Sequence, residues 1–155
     1  MISENLKQLL NYRINQEEYS ARLYHAMHLW LDTRGYAGAG ALYSKFETEE
    51  IIHSHIAQEY LVGLNIQPDI QAIEAPPNDF GSLQDIIYKT LEHEKKITQQ
   101  CEELGRATLK EMDLKVFSIA QKYIDIQIHE IEESNNLVDM ANNYGQERVG
   151  IMLLD

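Results

Sequence analysis

Proline occupies only positions 68, 76 and 77 of this chain, and no other feature constrains its fold as strongly. A proline ring removes an amide hydrogen and crowds the preceding turn, so it ends or kinks a helix. Residues 3–67 and 78–155 are therefore free to be almost wholly helical, and each stretch reads as a helix pair with apolar residues recurring at threes and fours. In the first pair, Ser3 is placed to cap a helix whose seam holds Leu6, Leu10, Glu17, Tyr24, Met27 and Leu31. Gly35 and the small run Ala37-Gly38-Ala39-Gly40 are expected to form the turn. The second helix is then expected from about residue 39 to about 64, through Leu42, Phe46, Glu50, His53, Ala57, Tyr60 and Leu64. Ser82 caps a third helix with the seam Leu83, Ile87, Leu91, Glu94, Ile97, Cys101 and Leu104. After a turn between Thr108 and Asp113, a fourth carries Val116, Ile119, Tyr123, Gln127, Glu130, Leu137 and Ala141.

The connection between the pairs, residues 66–80, holds all three prolines and is far longer than the roughly two to eight residues that usually join bundle helices. Its length has a geometric use. A helix of roughly 27 residues is about 40 Å long, and about 15 extended residues span roughly 50 Å, enough to return along the bundle's full height. The expected architecture is all-α: a four-helix bundle with one long crossover between helices 2 and 3, filling residues 1–155 as a single domain. Beyond Gly145, Gln146 to Leu154 is long enough for a short fifth helix. Its apolar Val149, Ile151, Met152, Leu153 and Leu154 call for a partner surface, which in an assembly would belong to another subunit.

Each of the four long helices carries a glutamate inside its greasy stripe: Glu17, Glu50, Glu94 and Glu130. A buried carboxylate without a counterpart costs several kcal/mol, so four of them at one level require cations. In an antiparallel hairpin, residues at one level lie symmetrically about the turn. With turns centred near residues 35 and 111, the level of Glu17 is about 53 and that of Glu94 about 128. Those levels hold Glu50-Ile-Ile-His53 and Gln127-Ile-His-Glu130. A spacing of three puts Glu50 and His53 on one helical face. The set is thus one glutamate from each of two helices, an ExxH pair and a QxxE pair, and its simplest occupant is a pair of metal ions. Hard carboxylates with one imidazole suit iron better than calcium, which avoids nitrogen, or structural zinc, which usually takes thiolates.

Other residues have less specific readings. Tyr24, two turns after Glu17, is either a hydrogen-bond partner of a metal carboxylate or a core tyrosine with a water partner. His25, His28, His55 and His93 fall beside the seam and are assigned to surface or interface positions, and Trp30 to packing. The lone Cys101 lies in an apolar register and is read as a buried, inert thiol. Thirteen Lys and Arg against 25 Asp and Glu give a formal charge of -12, which attracts cations and disfavours nucleic acid and anionic membranes as partners. With no apolar run of about 18 residues and no signal-peptide pattern at Met-Ile-Ser-Glu-Asn, a cytoplasmic location is expected.

With these residues assembled, the sequence resembles a known family, the non-haem ferritins of bacterial type. The resemblance rests on Asn15-Gln-Glu17-Glu-Tyr-Ser20, Tyr24, Glu49-Glu50-Ile-Ile-His53, the crossover Ile73-Glu-Ala-Pro-Pro-Asn-Asp-Phe80, Leu91-Glu-His-Glu94, and Gln127 with Glu130, in order along the whole chain. It implies a ferritin-like fold, a homo-oligomeric cage of 24 subunits, and ferroxidase activity with Fe(II) and O2 or peroxide as substrates. It further implies that Glu17, Glu50 and His53 hold one iron, and Glu50, Glu94 and Glu130 the other, with Glu50 bridging and with Tyr24 and Gln127 as hydrogen-bonding partners of the ligands. The fourth helix departs from the haem-binding relatives by having QxxE rather than ExxH, and Ile52 stands where their haem-ligating methionine would be, so no haem is expected. Many bacterial ferritins hold a third iron nearby. Here Ile126 and His129 replace two of its glutamates, so that site is weakened or rebuilt from Glu49, His129 and Glu133.

The expected chemistry is iron storage with oxidation: two adjacent Fe(II) ions each give one electron to the same O2, and the carboxylates stabilise the Fe(III) formed. One rival is a structural or nucleating shell subunit, which would need the central ligands replaced, and all five are present. A second is a di-iron peroxide scavenger resembling rubrerythrin, whose four-cysteine partner domain a chain with one cysteine cannot supply.

Overall fold

In the computed structural model, which describes residues 1–153, three of the helices start where a short polar side chain takes an orphan amide of the first turn. Ser3 Oγ accepts from the Leu6 amide, Ser82 Oγ from Asp85 and Asp113 Oδ1 from Val116, each at 3.1 Å. These caps open α1 (Glu4–Thr33), α3 (Leu83–Lys110) and α4 (Leu114–Tyr144). α2 (Ala37–Gly63) begins without one.

Two boundaries differ from the sequence expectation. The run Ala37-Gly38-Ala39-Gly40 is the first turn of α2 rather than the link before it, and the link shrinks to Arg34–Tyr36, with Gly35 at φ 82°. The small residues serve close approach: Ala39 is fully buried, and a Cβ on Gly40 would lie 1.9 Å from Asp32 Oδ1. The second link also begins late. Buried Thr108 stays helical, its hydroxyl donating to the Gly105 carbonyl at 2.7 Å, and the chain reverses through Glu111 and Met112, the latter at φ 56°.

α1 packs along α2 and α3 along α4, while α1–α3 and α2–α4 contacts close the bundle. The non-helical crossover is fastened to α1. Asn11 Oδ1 accepts from the Asp69 amide at 2.8 Å, Asn15 Nδ2 donates to the Ala72 carbonyl at 3.1 Å, and buried Phe80 meets Trp30 edge-on at 6.3 Å. Trp30 is packed as expected, with the Arg34 guanidinium 3.8 Å above its ring. Among the described residues, no helix is long and apolar enough to cross a membrane.

The interior is two apolar clusters rather than one. Leu6, Leu10, Ala57, Leu61, Leu104 and Val116 belong to the first; Met27, Leu31, Tyr43, Leu83, Ile87 and Leu137 belong to the second. The polar band containing Glu17, Glu50, Glu94 and Gln127 lies between these groups along every long helix. Cys101 is fully buried in the first cluster, and burial pushes its thiol up to about 12, which keeps it protonated and inert.

The fifth helix, α5 (Gln146–Met152), divides the expectation made for it. Val149 is fully buried in the chain's own core and a Cβ on Gly150 would lie 3.0 Å from the Tyr36 ring, whereas Ile151 is 67% exposed. One face of α5 thus finds its partner within the subunit. Leu154, expected in the same apolar run, lies outside the described residues.

Asn11→Ala should release the start of the crossover without unfolding the bundle. Hydrogen exchange of the Asp69 amide should accelerate at least tenfold, while amides of Ile97 and Ile119 keep wild-type protection; unchanged exchange at Asp69 would refute the fastening.

Candidate metal centre

The expected level matching is what the helices deliver. One carboxylate oxygen each from Glu17 and Glu50 and a ring nitrogen of His53 lie within 4.8 Å of one another, and so do oxygens of Glu50, Glu94 and Glu130. The two groups share Glu50. Glu17, Glu50 and Glu94 are each at most 2% exposed, and His53 and Glu130 are partly buried at the band's edge. On α2 the spacing of three brings His53 Nδ1 to 3.4 Å from Glu50 Oε2.

Neighbours hold these side chains in place. Tyr24 donates its hydroxyl hydrogen to Glu94 Oε1, so of its two readings the carboxylate partner is the one observed. Gln127 Nε2 donates to Glu94 Oε2 at 3.0 Å and to Thr98 Oγ1 at 3.1 Å. Tyr123, which sequence reasoning treated only as seam, reaches from α4 into α2. Its hydroxyl accepts from the Ala57 amide at 3.0 Å and donates to the His53 carbonyl at 2.7 Å, the two groups that one rung of the α2 ladder pairs.

The residue sequence reasoning missed outright is Arg13. It is 1% exposed, and its Nε sits 3.0 Å from Glu17 Oε1, while a terminal nitrogen donates to Gln100 Oε1 at 2.9 Å. The signal was available: Leu6, Leu10, Arg13 and Glu17 are spaced by four, three and four, so Arg13 interrupts the stripe just as Glu17 does. The contact is close but poorly aligned, and with Glu50 ionised neither Glu17 oxygen has a hydrogen-bond partner; the proton on the raised Glu50 supplies one. A buried carboxylate with both oxygens unsatisfied is costly, and a cation between Glu17, Glu50 and His53 would satisfy it.

The electrostatics agree. Burial raises Glu50 well above the ordinary carboxylate range, and Glu17, Glu94 and Glu130 push it further. Burial also raises Glu94, against the opposing hydrogen bonds from Tyr24 and Gln127. Glu130 is raised to about 8 by burial, then by Glu94, Glu49 and Glu133. Burial lowers His53, favouring the neutral ring a metal needs. Within the site, protons and cations compete for the same oxygens.

Outside it, Glu49 is half-buried with Lys45 Nζ 3.6 Å away, and Glu133 is raised by burial and by Glu49. His129 is exposed and joins none of the metal-holding groups found among the described residues, and Ile126 beside it is half-buried. Ile52 and His55 are exposed on α2. His93 is half-buried: its Nε2 is 2.8 Å from Ser20 Oγ, its ring meets Tyr24 edge-on at 6.0 Å, and burial, with Lys96, lowers it to about 4. One residue before Glu94, it turns about 100° away from the centre and meets the flank of α1. His25 and His28 are half-buried opposite Glu47, and these three form a third group whose geometry could hold a metal ion.

Residues 7–142 match the profile of the ferritin-like domain family. Over all 155 residues the chain is 36% identical to a protein of Haemophilus influenzae described as a bacterial non-heme ferritin-like protein, covering 94% of it. It is 32% identical to the bacterial non-heme ferritin of Campylobacter jejuni and 28% identical to that of Escherichia coli, covering 93% and 94% of them. In structure it is similar to the open pore ferritin of the archaeon Archaeoglobus fulgidus, with a TM-score of 0.94 at 26% identity, spanning 99% of this chain and 95% of the other.

Since Glu50, Glu94 and Glu130 are raised in the folded protein, the metal-free fold holds protons that the unfolded chain releases. Their contribution to stability is complete below the ordinary carboxylate range and is lost as pH climbs toward about 8. His53 and His93, both lowered by burial, work in the opposite sense up to the ordinary histidine range, so the melting temperature of metal-free protein should fall between about pH 6.5 and pH 8, and Glu130→Gln should flatten the decline. Calorimetry at several pH values checks this; a wild-type curve as flat as the variant's would contradict it.

Proposed function

The chain belongs to the ferritin family, and on that footing we propose that it stores iron as a cytoplasmic ferroxidase, oxidising Fe(II) in each subunit and keeping the ferric product inside a shell of 24 copies. The observation that carries the oxidase part is the pair of ligand groups sharing Glu50, one of which contains a buried Glu17 carboxylate with no hydrogen-bond partner once Glu50 is ionised. In this reading Glu17, Glu50 and His53 take one Fe(II), and Glu50, Glu94 and Glu130 the other, with Glu50 between them.

Each part of the site then has a task. Two Fe(II) ions held side by side supply two electrons to one O2, so that with two protons the products are two Fe(III) and one H2O2, and no superoxide is released. Peroxide could replace O2 as the two-electron acceptor. The protons that the raised carboxylates carry at neutral pH leave as iron enters, which makes loading tighter as pH rises. Arg13 offsets one negative charge while the site is empty of iron, and it limits how tightly Fe(III) is retained, which suits a centre that must pass its product on. Tyr24 and Gln127 fix both oxygens of Glu94. The candidate metal donors at this level are glutamates and one imidazole, and Ile52 offers haem no ligand.

Aerobic Fe(II) addition to metal-free protein tests the site. Glu17→Ala and Glu94→Ala should each oxidise iron at least about tenfold more slowly than wild type in the first turnover, read by the growth of ferric absorbance. Equal rates in all three would sink the assigned centre. Light scattering with size-exclusion chromatography tests the shell independently: a mass near 24 times 17.9 kDa is expected, and a monomer or dimer would remove the cage from the proposal.

A further inference from the structure

On the α1–α2 flank, outside the buried band, two imidazoles and a carboxylate meet. His25 and His28 are one turn apart on α1, and Glu47 faces them from α2, with the three ligand atoms within 4.8 Å of one another. His25 Nδ1 is 2.9 Å from Glu47 Oε2, and His28 Nδ1 is 3.9 Å from the same oxygen. The other nitrogen of His28, Nε2, is 2.8 Å from Asp32 Oδ2.

The hydrogen-bond network assigns the tautomers. An ionised carboxylate only accepts, so His28 Nε2 carries the hydrogen given to Asp32, and Nδ1 of the neutral ring is a bare lone pair. That nitrogen is buried and has no hydrogen-bond partner. At 3.9 Å it is too far from Glu47 for a hydrogen bond, so an Nδ1–H there would also be unsatisfied. A buried lone pair facing a carboxylate oxygen across a gap of this size is disfavoured until a cation stands between them. Asp32 meanwhile does for His28 what an outer carboxylate does for a metal-bound histidine: it fixes the ring's orientation and tautomer.

We propose that His25, His28 and Glu47, with Asp32 orienting His28, form a second cation site for one divalent transition ion of the zinc class. Separations of 2.9 and 3.9 Å surround an ion bound at about 2.0–2.2 Å from each donor with only small side-chain shifts. Two nitrogens and one oxygen select zinc, copper, nickel or ferrous iron over calcium and magnesium, which favour all-oxygen sites. When the ion enters, His25 moves its hydrogen from Nδ1 to Nε2, so the neutral ring binds without net proton loss. The side chains of His25, His28 and Glu47 are 38%, 21% and 24% exposed, and three protein donors leave a fourth position to water. Within the single subunit the site is thus open at its fourth position, unlike the enclosed carboxylate centre. It rests on different residues from the ferroxidase proposal and stands or falls separately from it.

Calorimetric zinc(II) titration of the full-length Glu17→Ala/Glu94→Ala protein, compared with the same protein carrying His28→Gln, reads this site as the difference between the two. One equivalent per chain is expected. Adding His28→Gln should weaken it at least tenfold, and Asp32→Asn should weaken it with the melting temperature unchanged. Zinc uptake equal with and without His28, or displacement by an equal concentration of calcium, would overturn the site. Zinc-edge anomalous diffraction from wild-type crystals guards against a variant that fails to fold. A peak within bonding distance of both Nδ1 atoms and the Glu47 carboxylate is expected, and its absence beside an occupied carboxylate centre would equally overturn the proposal.

Discussion

Four glutamates at one level of a helical bundle, with a single buried guanidinium among them, are the constraint around which the rest of this protein is arranged. Their mutual repulsion and lost hydration exceed what Arg13 can neutralise, and the raised Glu50, Glu94 and Glu130 measure the deficit. The fold tolerates that deficit because two apolar clusters flank the band. Each long helix contributes to both clusters, so the polar level cannot spread apart without disturbing hydrophobic packing on either side.

Secondary features follow from the same requirement. Four ligand-bearing helices must keep their levels matched within a fraction of a turn, and short links at Arg34–Tyr36 and Glu111–Asp113 set that register in each hairpin. The crossover sets the register between hairpins. It runs the length of the bundle, and its hydrogen bonds to Asn11 and Asn15, with Phe80 against Trp30, tie it at several heights. Hydrogen bonds from Tyr24 and Gln127 then aim Glu94, leaving little of the geometry to chance.

Much of this was legible in the sequence, for reasons that can be named. Three prolines confined to one stretch revealed two helical hairpins and the crossover, and level matching about the two turns placed Glu17 with Glu50–His53 and Glu94 with Gln127–Glu130. Arg13 was missed since the stripe was scanned for carboxylates in an apolar register, and a cation there is neither. The start of α2 was displaced because closely spaced glycines signal a turn locally, whereas here Gly40 serves the close approach of Asp32, a tertiary demand that propensity does not contain. The pairing of His25 and His28 with Glu47 was illegible for a related reason: it depends on how α1 and α2 are rotated about their axes, and seam residues report that rotation only coarsely.

The hydroxyl of Tyr123 has a mechanical consequence. By bonding the His53 carbonyl and the Ala57 amide together, it rivets a rung of one helix to the side chain of another. α2 cannot bend or slide at His53 without pulling α4, and through α4 the stretch from Gln127 to Glu130. A candidate ligand from each hairpin, His53 and Glu130, is thereby held on one strut, so the distance between the two halves of the site is governed by a hydrogen-bonded helix pair rather than by the looser play of free side chains.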